Sequence, residues 1–251
     1  MGKIEAPGVA SSTERLARVD LAAAFRLAVR MDLHEGVCNH FTLMLPGGDR
    51  FLLNAHGLHW SEVTASNLLA LDTQGRVLEG DGEAEKTAFY IHSRIHLANP
   101  RAVCVLHTHM PYATALTLTL PGRLEMVEQN ALRFADDIAY DDSYNGLVVD
   151  EAEGDRLARL LGGKRVLFLA NHGVIVVGAT VAEAFDALYY LERACRVQVL
   201  ARATGLPLRP VRPEVVRETY GMILADTPKY ARAHFEALRR ILDREQPDYA
   251  R

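Results

Sequence analysis

Apolar positions along the chain recur with two periods, and the switches between them mark helices and strands. From Thr13 to about His34 they fall at Leu16, Val19, Ala23, Phe25 or Leu27, and Met31, close to the 3.6-residue repeat of a helix, with Ser and Thr ahead and Gly36 behind. The segments FTLML and RFLLN, separated by Pro46-Gly47-Gly48-Asp49, predict a β-hairpin. LLALD and VLEG, about Thr73-Gln74-Gly75-Arg76, predict a second. Lys86 to Leu97 reads as a helix stopped by Asn99-Pro100. The AVCVLH run after it is short and β-branched, as a buried strand would be, and it ends on His107. Pro111 suits a first helical turn, and Asp150 with Glu153 and Thr180 with Glu183 have capping-box spacing for two further helices. Between those helices, VLFLA and VIVVG flank the turn Asn171-His172-Gly173. A helix over 181–203 ends at Gly205, after which Pro207, Pro210 and Pro213 lead to a predicted helical hairpin over 214–245. No repeat or flexible linker divides the chain. Residues 12–205 are expected to form one folding unit, and 206–251 a helical extension packed on it or on a neighbouring subunit.

With 251 residues, 49% of them hydrophobic and 24% charged, the chain has the composition of an ordinary globular protein. Its 28 Lys and Arg against 32 Asp and Glu leave a net charge of −4, and the cations are scattered, so no nucleic-acid partner is expected. No apolar run is long enough for a membrane span, and the first twenty residues lack the apolar segment of a signal peptide, which predicts a cytoplasmic protein. Ala6 stands where an N-myristoylation pattern would have Ser or Thr. Cys38, Cys104 and Cys195, widely spaced among apolar residues, suit reduced packing thiols.

The informative chemistry lies among ten histidines. His107 and His109, two apart at a strand end, project to one face and can share an ion, and His172 at its inter-strand turn is a candidate third ligand. Three imidazoles with open positions suit a catalytic Zn, Fe(II), Mn or Co. The rival pair, His92 and His96, has helical i, i+4 spacing, but no Glu follows His92 as in the zinc-helix pattern, so it reads as packing or support. Trp60, with Phe89 and Tyr90, is a candidate pocket wall, though packing is the commoner role of such rings.

The segments NHFTL from Asn39, FLLNAHGLHWSEVT from Phe51, VLHTH from Val105 and NHGVIVVG from Asn171, in that order, resemble the class II aldolase/adducin family over roughly residues 13–203. The resemblance implies an α/β fold, a three-layer α/β/α sandwich on a largely antiparallel central sheet. It also implies a homotetramer with active sites near subunit interfaces, and a divalent metal held by His107, His109 and His172. In such enzymes the metal acts as a Lewis acid while a carbon–carbon bond breaks or forms. Sugar-phosphate members cradle phosphate with an Asn, a Thr-Gly pair and a Ser-Ser pair that runs into the catalytic Glu. Here Asn39 matches, His56-Gly57 replaces Thr-Gly, Lys86 and Thr87 replace Ser-Ser, and Ala88 takes the place of the Glu. Glu128 falls about where the family has a catalytic Tyr, and Glu83 and Glu85 are further candidate acids or bases.

The resulting expectation is a metal-dependent lyase on a small hydroxy or keto acid, bound as a carboxylate by Asn39, His56, Gly57, Lys86 and Thr87 with Glu128 as acid or base. The alternatives are a non-haem Fe(II) oxygenase cleaving an aryl keto or hydroxy acid, and a non-catalytic adducin-like module.

Overall fold

The computed structural model describes residues 12–251; the N-terminal lipidation pattern lies outside the described residues. Among the described residues six α-helices surround one eight-stranded sheet: α1 (Ser12–Arg30), β1 (His40–Met44), β2 (Arg50–Leu53), β3 (Leu69–Asp72), β4 (Val77–Glu79), α2 (Lys86–Ala98), β5 (Cys104–Thr108), α3 (Pro111–Thr117), β6 (Ile138–Asp141), α4 (Glu151–Leu161), β7 (Val166–Leu169), β8 (Gly173–Gly178), α5 (Val181–Arg202) and α6 (Pro213–Glu245). The strand order is β4-β3-β2-β1-β5-β8-β7-β6. Every pairing is antiparallel except β6 with β7.

Strand alternation distributes the core between the two sheet faces. Phe41, Leu106, Val174 and Val176 face the layer built from α1, α3, α5 and α6. Val105, Leu167, Ile175 and Val177 face α2 and α4. These central strands are covered on both sides, which explains their near-continuous apolar sequences. The two helices of the smaller layer meet at Gly154, where a Cβ would lie 2.4 Å from the Tyr90 carbonyl. The three-layer sandwich expected from the sequence is the architecture found.

The caps form as their side chains predict on the donor side: Asp150 accepts from Glu153 N at 3.0 Å and Thr180 from Glu183 N at 3.1 Å. Two features differ from expectation. The parallel strand β6 is absent from the sequence reading, because IAYD is four residues long and three of them are only partly buried. The C-terminal region is one 33-residue helix that continues through Pro228, not a hairpin. Its partly covered surface packs along α5, with Phe235 against Phe185 at 5.8 Å between ring centroids. The chain end then returns to the body: Ala65 N donates to Tyr249 O at 2.9 Å and Ser66 N to Arg251 O at 2.7 Å.

Candidate metal centre and its cavity

The three candidate ligands reach one point from two neighbouring strands. Residue pairing sets His40 opposite His107 across β1 and β5, and Thr108 opposite Val174 across β5 and β8. The β7–β8 turn places Asn171 in the left-handed region at φ 57°, a conformation Asn tolerates, and so carries His172 beside the end of β5. Ligand atoms of His107, His109 and His172 all lie within 4.8 Å of one another.

Hydrogen bonds fix which nitrogen of each strand histidine faces inward. His107 donates Nδ1–H to the Val174 carbonyl at 3.0 Å, and His109 donates Nδ1–H to the Glu35 carboxylate. Both rings therefore present lone pairs at Nε2, and these two nitrogens face each other at 3.2 Å. Neither can donate to the other while neutral. Two opposed lone pairs suit a cation between them, and a tetrahedral ion with metal–nitrogen bonds of about 2.0–2.1 Å holds two nitrogens about 3.4 Å apart. The residues present thus fit a divalent metal. Burial keeps His107 and His172 uncharged, pushing His107 well below the ordinary imidazole range and His172 down to about 4. The Glu35 contact makes a carboxylate–histidine pair of the kind that orients ligands and raises their basicity.

Gly173 is required at this junction. A Cβ there would sit 2.5 Å from the Thr108 carbonyl and 2.8 Å from His109 Cδ2. Gly173→Ala is expected to cost about 1–3 kcal/mol in stability by urea denaturation and, because His109 must shift, to weaken metal binding as well. Unchanged metal affinity would show that the strand end has room to spare.

The histidines open onto a cavity of about 270 Å³. Asn39, His56, Thr87 and Ala88 line it, as do Glu85 and an apolar wall of Leu53, Ile91, Leu147 and Val148. Asn39 accepts from His109 N at 3.2 Å through Oδ1, while its Nδ2 is buried without a partner.

Other expected site residues are elsewhere. Glu128 does not line the cavity; its carboxylate accepts from Asn130 N at 2.9 Å and Ala131 N at 2.7 Å, capping a short turn. Within the subunit it therefore stands apart from the histidine cavity. Lys86 is exposed outside the cavity with its ammonium 5.9 Å from the Tyr90 ring centroid, because the helix start that carries it points Thr87 inward instead. Gly57 is likewise outside the lining, a turn residue at φ 85°. Trp60 packs against Phe25 and Phe41, on the sheet face away from Phe89. His92 and His96 are buried and bonded to Thr42, apart from the converging triad.

Two residues around the histidine cluster are not among those the sequence singles out. Glu35 has no distinguishing pattern, being an exposed loop carboxylate. His40 had a signal: in the strand HFTLM it alternates with apolar Phe41 and Leu43, so it and Thr42 had to be polar groups on a covered sheet face.

Residues 19–199 match the family described as Class II Aldolase and Adducin N-terminal domain. The chain belongs to the class II aldolase and adducin family. A crystal structure of an aldolase II superfamily protein from Pseudomonas syringae is 35% identical, with a TM-score of 0.90 over 96% of this chain and 97% of that one. L-fuculose 1-phosphate aldolase from Glaciozyma antarctica PI12 is 26% identical, with a TM-score of 0.84 over 98% and 96%. Alpha-adducin of Mus musculus is 35% identical over 92% of this chain but only 33% of its own length. This class II aldolase superfamily member thus carries the histidine cluster of a metal-dependent group of lyases while resembling both enzymes and adducins.

Proposed function

We propose that the protein is a divalent-metal-dependent lyase acting on a carbon–carbon bond of a small hydroxy or keto acid, by retro-aldol cleavage or decarboxylation. The observation that carries this reading is the pair of imidazole lone pairs opposed at 3.2 Å, with a third imidazole beside them, on an open cavity instead of a closed four-ligand cage. His107, His109 and His172 would hold a divalent ion, which when bound would supply a Lewis acid for a substrate oxygen beside the reacting carbon–carbon bond.

The chain's own residues position the acid. Asn39 lacks an acceptor for its buried amide N–H pair, and a substrate carboxylate or carbonyl oxygen is the group it needs. Among the described residues that line the cavity none is Lys or Arg. A single carboxylate can be met by the ion and neutral donors, whereas a doubly charged phosphate would be poorly compensated. The apolar wall suits a carbon chain more than a polyol.

The carboxylate nearest Ala88 in sequence is Glu85, which lines the cavity but accepts from Ala88 N at 2.8 Å and from the Thr87 hydroxyl. Those bonds hold it below the usual carboxylate range against the opposing effect of burial, so it is an ionised helix cap. This absence of a free base at position 88 favours, as a second reading, oxidative cleavage by non-haem Fe(II) and O₂, which needs no proton-abstracting carboxylate.

Protein purified without chelator should carry one divalent ion per chain, and the metal-loaded protein should convert a member of a hydroxy- and keto-acid panel in the absence of oxygen. Stoichiometric O₂ uptake with Fe(II) would select the oxygenase. Failure to bind any metal would leave a binding module like the adducin relatives. We place the protein in the cytoplasm as a homotetramer with the cavity near a subunit interface. The exposed apolar Leu118, Leu120 and Leu147 support such an interface, Leu147 also lining the cavity. Light scattering should return four times the 27.8 kDa chain mass.

A further inference from the structure

A second group of imidazoles lies beside the triad. His40 and Thr42 stand on the β1 face that looks toward α2, and His92 and His96 approach from α2 one helical turn apart. All four side chains belong to residues that are 5% exposed or less. They touch in single file: His40 Nδ1 to His92 Nε2 at 2.7 Å, His92 Nδ1 to Thr42 Oγ1 at 2.6 Å, Thr42 Oγ1 to His96 Nε2 at 2.8 Å, and His96 Nδ1 to the Ala102 carbonyl at 2.6 Å.

The last contact sets the direction of every proton. The Ala102 carbonyl only accepts, so His96 carries its proton on Nδ1 and offers a lone pair at Nε2. Thr42 donates its hydroxyl to that lone pair and accepts the Nδ1–H of His92. His92 is then a lone pair at Nε2, and His40 must donate Nδ1–H to it. One site is left over: Nε2 of His40, a lone pair on a residue that lines the cavity, with no hydrogen-bond partner among the described residues. All three imidazoles are buried and none is hydrogen-bonded to a carboxylate among the described residues, so the file is neutral. His40 stands next to His107, at 4.9 Å between ring centroids, yet falls outside the group of nitrogens that converge on the metal position.

We propose that this file is a tautomer lock that fixes His40 Nε2 as an acceptor for a substrate hydroxyl, making His40 a specificity residue that selects hydroxylated acids over otherwise identical deoxy acids. The substrate half of the proposal rests on the lyase reading; the lock itself does not. A ligand lacking the hydroxyl covers a desolvated lone pair and leaves it unsatisfied, whereas one carrying it completes the file.

Long-range ¹⁵N–¹H correlation spectra of the full-length protein, zinc-loaded and chelator-treated, read the tautomers directly. His40, His92 and His96 are expected as Nδ1–H in both forms. Thr42→Val should release His92 and His40 to mixed tautomers, while Thr42→Ser keeps the lock. An Nε2–H His40 in the wild-type protein overturns the lock, whether or not either variant folds. Calorimetry on the zinc-loaded protein then compares glycerate with lactate, which share an α-hydroxy acid chelate and differ by one hydroxyl. Glycerate should bind about tenfold more tightly, and His40→Phe should remove that preference, bringing the two acids to equal affinity. Equal binding by the wild type overturns the selective role of His40. If neither acid binds while the tautomers are as expected, the selective role and the small-acid reading fail together; a wrong tautomer with both acids bound defeats the lock alone.

Discussion

His172→Ala is expected to strip the protein of its ion while leaving it folded. The imidazole sits on the β7–β8 turn, partly exposed, and its loss removes one ligand of three without opening the main core. Loss of an outer hydrogen-bond partner weakens metal binding roughly 10- to 100-fold, and loss of a ligand itself should exceed that. Glu35→Gln provides the internal scale: it spares all three ligands but removes the charge that holds His109 Nδ1–H, so its affinity should fall within that smaller range. His92→Ala should retain the ion, since His92 bonds to His40 and Thr42 and lies outside the triad. Elemental analysis after dialysis, with circular dichroism to confirm folding, separates the three variants. Stoichiometric metal in folded His172→Ala would remove the triad and with it the lyase reading.

Much of the architecture was legible because periodicity and punctuation agree. The β1–β2 and β3–β4 hairpins follow from alternating runs around Gly-containing turns, and α2 ends where Asn99-Pro100 predicts. The triad was legible too, since a His-x-His at a strand end and a histidine in the next inter-strand turn are local patterns that β5–β8 pairing brings together. What could not be read is tertiary. Glu35 meets His109 only because the loop after α1 folds over the strand end. Glu128 shows what counting along the chain does not register: within the subunit its carboxylate accepts from the amides two and three residues ahead of it. His40 was visible as a polar interruption of an apolar strand, yet its role depends on α2 laying two histidines across the same sheet face.

The folded protein should be acid-sensitive well above the carboxylate range. His40, His92 and His96 are buried and neutral, with His40 held to about 3 and His96 to about 4 by desolvation, and His92 well below its ordinary value. Each titrates near 6.5 once unfolded. The unfolded chain therefore takes up protons that the native one refuses, so stability is full above about pH 6.5 and falls as pH drops toward the folded values. At pH 5 three such groups together cost about 6 kcal/mol relative to pH 8. Glu192 opposes them: burial raises it to about 7 although it caps α3 by accepting from Tyr112 N and Ala113 N, so its penalty is relieved as pH falls. That gain is about 2–3 kcal/mol over the same interval, and these three histidines outweigh it by a few kcal/mol, a substantial share of the roughly 5–15 kcal/mol that holds a typical domain together. Urea midpoints measured with chelator present, so that metal release does not contribute, should fall steadily from pH 8 to pH 5. Glu192→Gln should steepen the fall by removing the opposing titration, and a midpoint that stays level across this range would mean that the buried imidazoles exchange protons with solvent in the native state.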